Sequence, residues 1–372
     1  MGNPSYPAAR SVATRLEERI ASSTAAIPPD TPKPDRRIIE EVITAAFWAS
    51  FRREEGRTPR ISLAFMPPEQ SARPLKFEQS RRLEPEILAR LAPAVEHPGI
   101  HIGLWVYGDE LRIWGLTRTV PTWCFVLEVV APGLLVVKYR REEPSSKFAN
   151  VAVLEGADVK FIEQQAETHF EAPPVLGSLL NFYSSAGRHE SDNLLIRVAT
   201  SMRVYGRGGS LLVVPSGSRG WLTSIVQPLT YSLIPPFPDI SALLQHEDEV
   251  AEVSPDVLQF AVDALTGLTA VDGATVISDC LEPLAFGVKI MVPEGGRHIE
   301  RVLLTEPIEG IRDTTVDPSL LGGTRHLSAA QFAHDQRDAV TMVASQDGRF
   351  TVFAWSPVHE MVHAFRLEAL LM

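Results

Sequence analysis

HIGLWVYGDELRIWGL (residues 101–116) is the stretch of sequence that decides the fold of the first half of the chain. Two short apolar runs flank Gly108-Asp109, a dipeptide that favours the tight turn of a β-hairpin. Further apolar runs follow at 122–130 and 134–140, and Ala-Pro-Gly at 131–133 separates them. Short strands divided by Gly and Pro turns indicate an antiparallel meander.

The sequence before this meander predicts helices and one strand. Apolar residues recur at helical spacing over Ile38–Phe51, ISLAF (61–65) is typical of a strand, and Ser80–Leu91 has the pattern of an amphipathic helix. Residues 1–36 contain six prolines and predict a flexible arm, with one short helix at Ser11–Ala21 as the only element considered there. Residues 37–166 are therefore expected to form a smaller α+β domain.

The second half alternates strands with helices. GSLLVVPS (209–216), ATVIS (274–278) and AVTMVAS (339–345) are typical of buried strands, and helical patterns lie between them. Such alternation indicates an α/β (α+β) domain in which helices flank a twisted, mixed central sheet. The Pro-containing stretch 167–177 is the predicted linker, and 178–372 is the predicted second domain.

Composition excludes several classes of protein. The 372 residues carry 35 Lys and Arg against 46 Asp and Glu, a formal charge of −11, which disfavours general binding to nucleic acid. No apolar run reaches the ~20 residues needed to cross a bilayer, and the N-terminus lacks the apolar core of a secretory signal. Two cysteines exclude a disulfide framework. We expect a cytoplasmic protein that binds neither nucleic acid nor membrane.

Residues 220–288 contain no Lys or Arg but ten acidic residues. A solvated acidic helix face would explain most of these carboxylates. Alternatively, one or two of them face a divalent cation. Charge alone does not decide between the two interpretations.

His359-Glu360-Met361-Val362-His363 has the HExxH pattern, in which two histidines on one helix face grip zinc and the glutamate activates its water. Only nine residues follow His363, and Pro357 suggests that the motif opens a terminal helix. A surface helix is the simpler interpretation. A zinc peptidase is the third and most distant functional alternative.

Three motifs in the last hundred residues suggest a nucleotide site. In Asp272-Gly273-Ala274, the small residues let a ligand approach while the acid holds a metal or a hydroxyl. Residues 322–326, GGTRH, precede a helical pattern, and a helix N-terminus with a cation favours phosphate. Residues 345–348, SQDG, form a turn between two strands. Each motif is common alone, but all three in this order are much less so.

The order DGA, GTRH and S-x-[E/D]-G resembles the DisA-type diadenylate cyclase (DAC) domain family. The motif-bearing segments are LTAVDGATVI (268–277), GTRHLSAA (323–330) and 340–350, and GGSLLVVPS (208–216) resembles the family's first core strand. The N-terminal half, with YGDELRIWGL (107–116), looks like DACNV, a sensor module that accompanies such cyclase domains.

The resemblance implies that two ATP molecules are joined into cyclic di-AMP with release of pyrophosphate, across a face-to-face dimer and with Mg²⁺ or Mn²⁺. It makes Asp272, Arg325 and His326 the catalytic residues. Asp272 would hold the metal and lie on the 3′-hydroxyl side of the reaction, and Thr324, Arg325 and His326 would hold the phosphates. The nucleotide-binding positions that it implies are Gly273, Ala274, Gly323, Thr324, Ser345, Gln346 and Asp347.

Two departures from the family pattern leave an alternative open. The family's RHR is Arg325-His326-Leu327 here, and SEE-x-G is shortened, with Gln346 in place of one carboxylate. Arg297, Arg337 and Arg349 are candidates for the missing phosphate cation. The alternative is a catalytically weak or inactive nucleotide-binding signalling protein on the same fold, with its nucleotide preference open.

Overall fold

The computed structural model describes residues 5–22, 31–53, 56, 58–97, 99–121, 123–139, 149–162, 190–229, 231–233 and 255–367. The chain divides into two compact units, Met1–Gln164 and Gln165–Leu371. Each unit has helices and its own mixed sheet, so the predicted α+β class is confirmed. The predicted linker 167–177 lies outside the described residues.

The first unit is built on an eight-stranded sheet, whose order is β2-β4-β3-β1-β5-β6-β7-β8. The strands are β1 Ile61–Phe65, β2 Leu75–Arg82, β3 His101–Tyr107, β4 Glu110–Thr117, β5 Phe125–Ala131, β6 Leu134–Tyr139, β7 Ala149–Glu155 and β8 Asp158–Phe161. The hairpin at Gly108-Asp109 and the strands after it form as predicted. However, β1 enters between β3 and β5, parallel to β3 and antiparallel to β5.

Three helices accompany this sheet, α1 Pro7–Ser22, α2 Arg36–Ser50 and α3 Pro85–Leu91. The short helix considered at Ser11–Ala21 forms, as part of α1. The expected flexible arm does not hold over α1, because Val12 and Leu16 are buried and the Tyr6 ring stacks on Phe47 of α2 at 3.8 Å. The structure also differs from the helix predicted at Ser80–Leu91. Residues 75–82 pair with β4, and the helix begins only at Pro85, since proline fits the first turn of a helix.

The second unit is built on a nine-stranded sheet, whose order is β10-β12-β11-β9-β15-β16-β17-β13-β14. The strands are β9 Gly209–Val214, β10 Tyr231–Ser232, β11 Ala274–Ser278, β12 Pro283–Val288, β13 Val302–Thr305, β14 Thr314–Val316, β15 Val340–Ala344, β16 Phe350–Ser356 and β17 Met361–Arg366. Strands β9, β11 and β15 are buried along their whole length, which explains their continuous apolar sequence.

The α-helices in the described part of this unit are α4 Glu190–Tyr205, α5 Pro255–Thr269 and α6 Thr324–Asp335. Helices α4 and α5 pack on each other, and α6 packs against β15 and β16. Among the described helices of the chain, none combines the length and the apolar character needed to span a bilayer.

Candidate functional site

The three motifs meet at one cavity of about 590 Å³ in the second unit. Its lining includes nine of the ten residues predicted for the site, namely Asp272, Gly273, Ala274, Gly323, Thr324, Arg325, His326, Ser345 and Gln346. Asp347 does not line it. Further residues that the motifs do not predict also line the cavity, and of these Lys289 and Ser210 are the polar ones closest to the first motif along the sheet.

Sheet topology explains why residues so distant in sequence converge. Strand β11 is parallel to β9 and β15 is antiparallel to it, so the start of β11 and the end of β15 lie at the same edge. Asp272 lies two residues before the first residue of β11, and Ser345 immediately follows β15. Helix α6 begins at this edge too, so the GGTRH motif joins the other two.

Gly273 allows the first motif to cross closely over the neighbouring strand. Its φ is +118°, and an added Cβ would lie 2.6 Å from the carbonyl oxygen of Val288. This contact fixes the backbone while the Asp272 side chain stays 92% exposed. Its Oδ2 lies 2.8 Å from the Nζ of Lys289. The hydrogen bond and the charge of Lys289, with a smaller contribution from Arg325, hold the pKa of Asp272 below its usual value.

Helix α6 presents its N-terminus to the cavity. Gly323 is the N-cap and offers no side chain to the first-turn N–H groups. The His326 N–H donates to the Gly323 carbonyl oxygen at 3.0 Å, and the Thr324 and Arg325 N–H groups are available to an anion. Arg325 lies on this first turn and reaches the glycine loop before β9, where its Nη1 would be 3.1 Å from a Cβ added at Gly208. The N-terminus of α6 and Arg325 thus favour negative charge.

His326 is buried, with 2% of its surface exposed. Its ring contacts Phe353 edge to face, with 6.3 Å between centroids, and burial lowers the pKa of His326 below its ordinary value. The imidazole is therefore mainly neutral at pH 7, and its Nε2 has no hydrogen-bond partner within the part of the chain that the structure describes. In that part, the cavity's positive charge comes from Arg325 and Lys289.

The third motif forms a turn whose side chains point different ways. The Gln346 amide donates to the carbonyl oxygen of Arg207 at 3.2 Å, which ties the turn to the glycine loop. Asp347 pairs instead with Arg349, with 3.4 Å between Oδ2 and Nε. Partial burial raises the pKa of Asp347, but hydrogen bonds from the Ser345 side chain and the Arg349 amide outweigh burial, and the pKa lies below its usual value.

The arginines considered as substitutes for the missing phosphate cation are not among the residues that line the cavity. The Arg337 guanidinium stacks on Trp355 at 3.9 Å, and Arg349 pairs with Asp347. The backbone carbonyl of Arg297 accepts a hydrogen bond from Gln331. Lys289 lines the cavity in their place. The sequence contained one indication of this cation, because Lys289 is the first basic residue after the stretch 220–288.

The HExxH residues do not form a helix, contrary to both interpretations of that motif. His359 and Glu360 lie in a turn, and His363 lies on β17, where pairing with β13 and β16 overrides helix formation. His363 is buried, and its Nε2 lies 2.5 Å from the hydroxyl of Thr305. Among the described residues, no three His, Cys, Asp or Glu side chains are grouped as a metal would require.

A second cavity, of about 860 Å³, lies in the first unit between α2 and the start of α3. One face of α2 supplies Glu40, Glu41 and Trp48, and Glu84 and Glu86 lie opposite. Burial raises the pKa of Glu41 above its ordinary value, although the nearby charge of Arg37 opposes this. Four of the eleven lining residues are thus glutamates, and Arg37 and the indole ring of Trp48 lie among them.

Comparisons with known proteins identify part of the first unit. Residues 28–118 match the family described as "Probable sensor domain DACNV", so the predicted N-terminal sensor module is confirmed over that segment. No curated protein shows significant similarity to the chain. A solved structure, described as a hypothetical membrane spanning protein from Bacillus cereus, aligns with 14% identity over 51% of this chain and 71% of that one. Its TM-score of 0.27 is too low to support any argument.

Proposed function

We propose that the second unit is a diadenylate cyclase that joins two ATP molecules into cyclic di-AMP, regulated by the sensor module in the first unit. The observation that supports this most strongly is the meeting of DGA, GTRH and the Ser345 turn at one cavity. The family resemblance rests chiefly on the order of these motifs in the sequence. Their convergence is what a shared nucleotide site requires.

The cavity has the size and charge that a nucleoside triphosphate needs. Its volume of about 590 Å³ lies within the range typical of small-molecule sites, roughly 300–1,000 Å³. Arg325, Lys289 and the first turn of α6 would face the polyphosphate. The neutral His326 would contribute a ring nitrogen as a hydrogen-bond partner.

Asp272 fits the role of metal ligand, because its carboxylate is exposed and its low pKa keeps it ionised. Mg²⁺ is commonly held by one or two carboxylates together with substrate phosphates, and Mn²⁺ also suits oxygen ligands. When bound, the ion would neutralise charge on the reacting phosphates. Arg325 and Lys289 would orient the remaining phosphate oxygens.

The proposed reaction needs two chains. In each half, a 3′-hydroxyl oxygen of one ATP bonds to the α-phosphorus of the other, the bond to pyrophosphate breaks and the hydroxyl proton is released. Cyclisation therefore yields two pyrophosphates per cyclic di-AMP. One cavity accommodates one nucleotide, so two protomers must place their cavities face to face.

Two observations support the alternative of a nucleotide-binding protein with little or no activity. Leu327 is 40% exposed at the position of the family's second arginine, where it offers no charge. The Gln346 amide is engaged by the Arg207 carbonyl rather than directed only to the cavity. Tight binding of ATP without product would decide for this alternative.

The test is incubation of the full chain with ATP and Mg²⁺ or Mn²⁺, followed by mass spectrometry of the products. We expect cyclic di-AMP from the wild type and none from Asp272→Asn, with the melting temperature unchanged because Asp272 is exposed. Asp338→Asn is the matched control, since Asp338 is exposed and does not line the cavity. Product from Asp272→Asn at the wild-type rate would refute the assignment.

The regulatory role of the first unit is supported by the sensor family that residues 28–118 match. Its test compares cyclic di-AMP synthesis by the full chain with synthesis by residues 165–372. Equal rates in both would remove the regulatory role.

A further inference from the structure

We propose that the Lys289 ammonium group exchanges between two partners in the nucleotide site. It pairs with Asp272 in the free protein and moves to the phosphates when a metal–nucleotide complex binds. This inference rests on the proposed function and extends it, because it sets the order in which metal and nucleotide bind. The family pattern did not point to Lys289.

The strand register places Lys289 beside Asp272. Val288 pairs with Ala274 in the antiparallel ladder, so Lys289 falls across from Gly273, one residue from Asp272, at the same edge of the cavity. The Lys289 Nζ lies 2.8 Å from the Asp272 Oδ2, which is a charge-assisted hydrogen bond. The two side chains are thus each other's nearest charged partners before any ligand arrives.

The backbone of Lys289 is held firmly while its side chain is not. The Lys289 carbonyl accepts from the Val226 amide at 2.9 Å, and Ile290 bridges to Ile225. In contrast, 54% of the Lys289 side chain is exposed, so packing does not confine the ammonium group. A fixed backbone with a free four-carbon side chain allows the ammonium to move between two partners.

Asp272 and the phosphates compete for this ammonium. A divalent cation on the Asp272 carboxylate would repel the ammonium, and the two would claim the same oxygen. Triphosphate oxygens offer the displaced ammonium a new partner in the same cavity. The triphosphate oxygens also require a second cation beside Arg325. Leu327 supplies no charge, and within the described residues Arg325 and Lys289 are the charged cations that line the cavity.

The expected result of this arrangement is ordered binding. A metal ion alone must displace the Lys289 ammonium from Asp272 and offers it no new partner, so the ion binds weakly. When nucleotide binds with the metal, the displaced ammonium pairs with a phosphate. Nucleotide therefore strengthens metal binding, and by linkage metal strengthens nucleotide binding by the same factor.

The test measures two affinities of the full chain without turnover, in wild type and in Lys289→Gln. Free Mn²⁺ is followed by electron paramagnetic resonance, and binding of α,β-methylene ATP with Mg²⁺ by calorimetry. In Lys289→Gln we expect Mn²⁺ alone to bind about 2- to 5-fold more tightly, because an exposed ion pair no longer competes. We expect the ATP analogue to bind about 10- to 100-fold more weakly, because a charge-assisted phosphate contact is lost.

Three further variants serve as controls for the two measured affinities. Lys289→Arg should restore analogue binding, and Asp272→Asn should abolish the Mn²⁺ binding measured without nucleotide. Arg312→Gln removes an exposed cation that does not line the cavity and should change neither affinity.

Opposite shifts of the two affinities support the inference. Loss of both affinities together would show a merely structural role, and no change in either would show no role, so each result overturns it. If the wild type binds no ATP analogue, the proposed function fails together with the transfer step. The competition at Asp272 would then still be decided by the Mn²⁺ measurement alone.

Discussion

The imidazole of His326 lies directly against the backbone of Gly322, where a Cβ would be 2.3 Å from Nδ1 and 2.6 Å from Cε1. Lack of space, not an unusual backbone angle, therefore requires glycine at position 322. The neighbouring Gly323 faces open space, with no atom within 4 Å of its added Cβ. The two consecutive glycines of the GGTRH motif thus have different reasons for being glycine.

Gly322→Ala should destabilise the second unit by about 1–3 kcal/mol, because the methyl group forces the buried His326 ring out of its place. Gly323→Ala should cost less than about 1 kcal/mol, since only its N-cap position is affected. Denaturant unfolding of both variants measures the difference. Equal losses would contradict the steric role of Gly322.

Gly273→Ala should cost about 3 kcal/mol or more, because the methyl group meets the backbone of β12 and the left-handed φ adds strain. Gly295→Ala separates these causes. Gly295 has φ +75° with nothing within 4 Å, so its substitution should cost only the strain, about 1–2 kcal/mol. Thermal unfolding of the two variants checks the order, and a larger loss in Gly295→Ala would contradict it.

Stability should fall in mild acid because of His363. Burial lowers the pKa of His363 to about 4, whereas the unfolded chain titrates near 6.5. As pH falls below 6.5, His363 binds a proton in the unfolded state but not in the folded state, so unfolding becomes more favourable. Between pH 7 and 5 this one group should reduce the free energy of unfolding by about 2 kcal/mol.

His363→Gln tests this expectation, since glutamine keeps an N–H for the Thr305 hydroxyl but does not titrate. Urea unfolding at pH 7, 6 and 5 should show a flatter dependence on pH in this variant than in the wild type. His298→Gln changes an exposed histidine and should keep the wild-type slope. Parallel profiles for wild type and His363→Gln would rule out the buried imidazole as the cause.

Leu16→Ala should destabilise the first unit by about 2–3 kcal/mol, because Leu16 is 2% exposed in the core between α1 and α2. Glu18→Ala, on the exposed face of the same helix, should change stability by less than about 0.5 kcal/mol. Chemical denaturation provides the comparison. A neutral Leu16→Ala would restore the expectation of a flexible N-terminal arm.

Local signals predicted most of the strands, and non-local pairing decided the rest. The hairpins after residue 100 carry their own turn residues, so their sequence specifies them. The insertion of β1 between β3 and β5 depends on contacts with residues about 40 and 65 positions away. The helix at α1 had a local signal, because Ala9, Val12 and Leu16 recur at helical spacing. Its packing against α2 is non-local, and the prolines on either side of it suggested a flexible arm instead.

The site shows the same division. The order of three short motifs was enough to expect them together, because each lies at the end of a strand or the start of a helix. Lys289 was missed because its position beside Asp272 follows from the pairing of Val288 with Ala274, and the spacing of residues in the sequence does not reveal that pairing. The helix predicted from the HExxH pattern was wrong because pairing with a neighbouring strand, not local spacing, determines the conformation of His363.

The place of β1 in the sheet limits where the sensor module can be cut. Residues 28–118 end just after β4, yet β1 also pairs along its whole length with Phe125–Val129 of β5. A fragment that stops at Arg118 would leave a buried, apolar strand with an open edge, and such edges recruit strands from other molecules. We therefore expect that fragment to aggregate when expressed by itself, and a stably folded, monodisperse sensor to require the chain through Phe161.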